Sequence, residues 1–157
     1  MEITWYTGER GQLRTLFALA EDSPQRLEAS MDRGRVLVAT DGDGIVAYLQ
    51  LVESDAEYEA EVRSMAVIEQ RHRQGIGSAL VTRAIAECRV QGMHMLLVAT
   101  ASADTGNLRF YQRQGFRMLR IERDAFTAAD GYPDGLIVDG IPLRYRVWLS
   151  LAIEPST

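Results

Sequence analysis

The chain has 157 residues, 46% hydrophobic and 25% charged, the balance of a folded globular domain spanning 1–157, and not of a disordered chain. It has no run of about eighteen apolar residues, and its start, Met1-Glu2-Ile3-Thr4, lacks a leader pattern, so no membrane role is expected. A formal charge of −5 weighs against nucleic-acid partners, whose phosphates need a basic face; the single Cys88 excludes an internal disulfide and suits a reducing, cytoplasmic compartment.

Residues 2–6 alternate as a short strand. Residues 9–21 place Leu13, Leu16, Phe17 and Ala20 at helical spacing. Ser23-Pro24 is a capped helix start, and that helix is expected to run to Arg33 and stop at Gly34. Arg35–Thr40 and Ile45–Val52 read as strands joined by Asp41-Gly42-Asp43-Gly44, a hairpin signal. Glu57–Val67 is a third long strand, followed by a polar segment, 68–74.

From Gly75 to Gln91 the pattern is helical, with Ile76, Leu80, Ala84 and Cys88 on one stripe. Met93–Thr100 is short and apolar, as buried strands are. Asp104 or Thr105 opens a helix that ends at Gln114-Gly115. Phe116–Glu122 is strand-like, 124–135 a loop with turn signals, and Asp139-Gly140 a turn before a final strand, Pro142–Ala152. The order is β-α-α-β-β-β-α-β-α-β-β. The unit over 57–100 is a right-handed crossover with parallel strands. The expected fold is therefore α/β (α+β), a mixed, mostly antiparallel twisted sheet of about seven strands with helices on both faces.

Strand, polar loop, Gly-x-Gly and amphipathic helix together suit a diphosphate. A helix N-terminus carries unpaired amides and partial positive charge, and glycines let an anion approach the backbone. Arg71 and Arg73 add charge at the rim. A nucleotide P-loop requires Lys-Ser or Lys-Thr after its last glycine, but Ser78-Ala79 follows Gly77. A dinucleotide fingerprint requires a third glycine where Leu80 stands.

The stretch Val62-Arg63-Ser64-Met65-Ala66-Val67 with Arg71-His72-Arg73-Gln74-Gly75-Ile76-Gly77-Ser78 resembles the main CoA-binding motif of the GCN5-related N-acetyltransferases, the GNAT fold. Asn107-Leu108-Arg109-Phe110-Tyr111, followed by Gly115-Phe116, resembles that family's next motif. The element order agrees over nearly the whole chain. The resemblance implies acetyl-CoA as co-substrate, no metal, and a cofactor site of Met65, Ala66, Val67, His72, Arg73, Gln74, Gly75, Ile76, Gly77, Ser78, Asn107 and Tyr111. His72 stands where the family usually has Arg or Gln, and Asp104 where an Asn is common.

The resemblance also implies chemistry: transfer of an acetyl group to a primary amine of a small molecule or peptide, directly, in a ternary complex. Tyr111 is the expected acid for the leaving thiolate, since a phenol with pKa of about 10 is protonated at neutral pH. A backbone amide at Met65–Val67 would polarise the thioester carbonyl, where the parallel strands splay. Glu61 sits where one branch of the family carries its general base. Its pKa is expected to be raised by burial among neighbouring carboxylates; a water chain or an already neutral amine are alternatives. Asp22, Tyr132 and Asp134 are acceptor-pocket candidates. The acidic balance favours a cationic acceptor, while Trp5 and Trp148 read as core. A non-catalytic acyl-CoA sensor is the competing function. The alternating final strand, read as an exposed edge, suggests a homodimer.

Overall fold

Hydrophobic alternation in the first half folds as an antiparallel meander. In this computed structural model, which describes residues 1–155, four strands each pair with the next: β1 (Glu2–Trp5), β2 (Arg35–Asp41), β3 (Gly44–Glu53) and β4 (Glu59–Val67). The turn after β2 forms as expected: Asp43 N donates to Asp41 Oδ1 at 2.8 Å and Gly44 takes φ 103°. β3 is buried without a break from Val46 to Val52, the mark of a strand covered on both faces. β4 starts two residues later than Glu57, because Tyr58 turns left-handed at φ 60° and its carbonyl accepts from His94 N at 2.7 Å.

Two short helices, α1 (Arg14–Ala18) and α2 (Pro24–Ser30), link β1 to β2. The single helix expected over 9–21 is instead a 3-10 turn at Arg10–Leu13 followed by five α-helical residues. No side chain caps either start, and a helix this short has little cooperativity. The Ser23 cap is present, accepting from Arg26 N at 3.2 Å. α2 ends at Ser30, short of Arg33, because outside side chains take the carbonyls at its end and just beyond it. Arg10 donates to the Met31, Arg33 and Gly34 carbonyls, and the buried Gln50 Nε2 to those of Ser30 and Arg33.

The crossover helix α3 (Ile76–Val90) leads to β5 (Met95–Ala101), parallel to β4 as expected. Then come α4 (Thr105–Arg113), β6 (Arg117–Glu122), a separate hairpin of β7 (Ile137–Val138) and β8 (Ile141–Pro142), and β9 (Arg146–Ala152). The seven-stranded sheet has the order β1-β2-β3-β4-β5-β9-β6.

This order corrects two expectations. The strand expected over Pro142–Ala152 is broken, because the Arg144 and Tyr145 carbonyls are taken by Ala125 N and Ser102 N. β9 is also no edge: it lies between β5 and β6. The open edges are β1 and β6, and the case for a homodimer through residues 142–152 falls.

Each face of the sheet has its own core. Leu37, Leu49, Ala60, Val62 and Leu96 pack with Leu80, Ala84 and Cys88 of α3 and Tyr111 of α4. On the other face Val36, Val38 and Tyr48 pack with Leu13, Phe17 and Leu27, and the Phe17 and Tyr48 rings stack at 4.2 Å.

Two irregularities in β4 prepare the site. Pairing with β5 stops at Val62–Val98, although β4 continues to Val67 and β5 to Ala101. On the other side Gln50 pairs with Ser64 but Leu51 with Val62, so Arg63 is bulged out without a partner. Such bulges re-aim side chains beside functional clefts.

Candidate active site

The segment before α3 bends into a concave run of backbone. Arg73 and Gly75 both take left-handed φ, 64° and 78°, and turns of this kind aim successive amides inward as an anion nest. Arg71 holds the segment in place by bonding Asp41 Oδ2 at 2.8 Å and Asp43 on the β2–β3 turn. Its charge is therefore committed, and of the two arginines expected at the rim Arg73 is the one left to meet an anion. A His72 ring nitrogen lies 2.8 Å from the Val67 carbonyl and closes the loop onto the end of β4.

The start of α3 differs from those of α2 and α4. α2 and α4 are capped by Ser23 and Asp104, whereas Gly75 offers no side-chain cap and the first intrahelical bond there is Ala79 N to Gly75 O. The amides of Ile76, Gly77 and Ser78 precede that bond and lack helical acceptors. At Gly77 a Cβ would stand 3.3 Å from Phe110 Cζ, so glycine also lets α4 lie close against α3. Ser78 Oγ ties the two helices by accepting from Gln114 Nε2 at 2.9 Å.

This end of α3 opens into a cleft of about 1570 Å³ that runs into the gap between β4 and β5. All the expected cofactor residues except Gln74 border it. Gln74 is exposed and contacts the Gln70 carbonyl. Ile76 borders the cleft while its side chain is core. Asn107 Nδ2 reaches Thr100 Oγ1 at 3.4 Å, and its amide is held by Asp104 Oδ1 at 3.0 Å. Asp104 thus serves as the α4 cap at the position where the family commonly has Asn.

Tyr111 is 5% exposed, with edge-on contacts to Phe110 and Phe116 at 5.1 and 5.6 Å. Its hydroxyl bonds no described residue, yet is not among the sealed, unpaired polar atoms; it therefore opens onto the cleft that Tyr111 borders. Burial pushes the phenol pKa up, so it keeps its proton.

Glu61 and Arg63 border the same cleft, with Glu61 Oε1 3.7 Å from Arg63 Nη1. Burial raises the Glu61 pKa against the opposing pull of Arg63, Arg33 and Arg26. The direction and its cause, burial, match expectation, but the expected neighbours do not: the charges acting on it are arginines and not carboxylates.

At the far end, Asp22 and Tyr132 border the cleft and Asp134 does not. Tyr132 donates to Glu21 Oε1 at 2.7 Å, and Ser23 Oγ to the Asp130 carbonyl at 2.6 Å. A Cβ at Gly131 would meet Ser23 Oγ at 2.5 Å, so this loop docks on α2 only through glycine. Arg26, Phe126, Arg146 and Trp148 complete the wall. The sequence reading missed them, although Trp148 carried a signal. With Val147 and Leu149 in the core, Arg146 and Trp148 face the other way.

Residues 32–118 match the family described as the acetyltransferase (GNAT) domain. The chain belongs to the GNAT acetyltransferases. This acetyltransferase is 28% identical over 140 residues to the uncharacterized N-acetyltransferase YvbK of Bacillus subtilis (strain 168), covering 89% of this chain and 88% of that one. Among solved structures, it resembles a Bacillus subtilis acetyltransferase in complex with CoA, at TM-score 0.87 and 26% identity over 97% of this chain and 98% of that one. It also resembles a GNAT acetyltransferase of Elizabethkingia anophelis with acetyl-CoA bound, at TM-score 0.84 and 27% identity over 96% and 97% of the two chains.

Proposed function

We propose that this acetyltransferase moves the acetyl group of acetyl-CoA directly onto a primary amine, with both substrates in the one cleft. The observation that carries this reading is an uncapped, glycine-lined helix start opening on the same cleft as Tyr111 and Glu61. The similar structures crystallised with CoA and acetyl-CoA support it.

The residues present fit such a co-substrate. The amides of Ile76, Gly77 and Ser78, with Arg73, would hold the diphosphate. The stretch Met65–Val67, left without a β5 partner, would face the pantetheine and the thioester, with Asn107 beside it. Acetyl-CoA supplies an activated acyl carbon and a thiolate leaving group. Glu61 takes the proton of the acceptor ammonium, directly or through water. The nitrogen–carbon bond then forms, the carbon–sulfur bond breaks, and Tyr111 gives its proton to the sulfur, while the second proton shed by the nitrogen as it becomes an amide restores the phenol through cleft water. Holding both reactants in one cleft replaces an encounter in solution. No helix among the described residues is long and apolar enough to cross a membrane. The buried free Cys88 fits the reducing, cytoplasmic setting this reading assumes.

The test is calorimetric titration with CoA, followed by amine-dependent thiol release from acetyl-CoA. The expected result is micromolar CoA affinity and thiol release that requires an amine. Absence of CoA affinity overturns the reading. CoA binding without thiol release across a broad amine set favours an acyl-CoA sensor.

A further inference from the structure

The overall acidity of the chain does not carry over to the acceptor end of the cleft. Three guanidinium groups, of Arg26, Arg63 and Arg146, line it against the carboxylates of Glu21, Asp22 and Glu61. Glu21 is already committed, accepting from Tyr132 Oη and Ser23 N and lying 3.5 Å from Arg26 Nε. Even so, that Arg26 nitrogen is sealed from solvent without a hydrogen bond. Arg146 bonds Glu122 Oε2 at 3.0 Å.

Arg63 is placed differently. It is the bulged residue of β4, its side chain is 24% exposed, and among the described residues its one acidic partner within ion-pair distance is Glu61 at 3.7 Å. That separation is too long for a good hydrogen bond. Arg26, Arg33 and Arg146 crowd it with like charge. A half-buried cation so placed gains from an incoming anion.

We propose that the acceptor is a free α-amino acid with an apolar side chain, its amine meeting Glu61 and its carboxylate meeting Arg63. This assignment rests on the transferase reading above. A carboxylate and a guanidinium side by side at 3.7 Å complement a ligand whose amine and carboxylate sit on the same carbon. The half-buried rings of Phe126 and Trp148, with Tyr132, Val138 and Leu143, give the apolar wall for a side chain. Polyamines, the class suggested by net charge, would bring a second cation toward Arg26 and Arg146.

The experiment measures kcat/KM by thiol release for L-phenylalanine, L-leucine, L-methionine and L-tryptophan, each beside its amide, with phenethylamine as the amine lacking a carboxyl group. The free acids are expected to exceed their amides by at least about tenfold, as a charge-assisted pair implies. Arg63→Gln brings that ratio toward one, and Arg63→Lys leaves it between. Amides, phenethylamine or short N-terminal peptides used as well as the free acids overturn the assignment, and so does a ratio unmoved in R63Q. The parent-chain ratio is informative even where R63Q folds poorly. CoA binding with no turnover of any amine instead sinks the transfer reading beneath it.

Discussion

A phenol packed edge-on between Phe110 and Phe116 keeps its proton far above the physiological range, which is what a donor to a departing thiolate requires. Because the Tyr111 hydroxyl holds nothing within the described chain, Tyr111→Phe removes an acid without unpairing a partner. Turnover is expected to fall at least about tenfold, the low side of general-acid contributions. CoA affinity by calorimetry and the melting temperature should stay near the parent's. Unchanged turnover removes the acid role. Glu61 makes a pH-dependent counterpart. Its folded pKa lies above the ordinary carboxylate value because burial disfavours the charge. Its contribution to stability is therefore full below the unfolded pKa and lost as pH rises through the folded one. Glu61→Gln should melt higher than the parent at neutral pH, the gap closing in acid. The acid limb of kcat/KM, set above the ordinary glutamate pKa of about 4.3, should disappear with it. A parent acid limb retained in E61Q gives the base role to water. Tyr111 was readable because family spacing marks it. Arg26 and Arg33 were not, since they act on Glu61 from α2 and from the turn after it, across a tertiary contact that no local pattern encodes.

Helix starts marked by a capping side chain or by glycine were the most readable elements. Ser23 and Asp104 cap where side-chain chemistry says they should, and the Gly75 turn announced α3 by the absence of such a cap. The ends were less readable: α2 stops early because Gln50 and Arg10, distant in sequence, take the Ser30 carbonyl and those just beyond it. The two glycines at the start of α3 separate backbone strain from ligand access. Gly75→Ala places a Cβ at φ 78°, where it meets no neighbour within 4 Å, so its cost is conformational, about 1 kcal/mol or more, and shows as a lower melting temperature. Gly77→Ala adds helix propensity but presses on Phe110 at 3.3 Å and puts a methyl group beside the amides. It is expected to weaken CoA binding about tenfold or more, while the melting temperature moves little. Equal CoA affinity in G77A and the parent, by calorimetry, removes the diphosphate from this turn.

At the scale of the molecule, the meander and the crossover followed from hairpin and strand–helix–strand signals, since neighbours in sequence became neighbours in space. The place of β9 did not follow, because its partners are β5 and β6 and not the β7–β8 hairpin just before it. A chain cut after Tyr145 keeps every residue proposed here for acetyl-CoA but exposes both β5 and β6 along their lengths. It is expected to lose its cooperative melt and to bind a hydrophobic dye, as loosely packed states do; a sharp transition in that fragment would show β9 to be dispensable. The same arrangement orders events in the cell. While a ribosome is still short of Arg146, the nascent polypeptide carries two unzipped seams flanking an absent stave, and must be shielded from its neighbours until residues 146–152 arrive to join them.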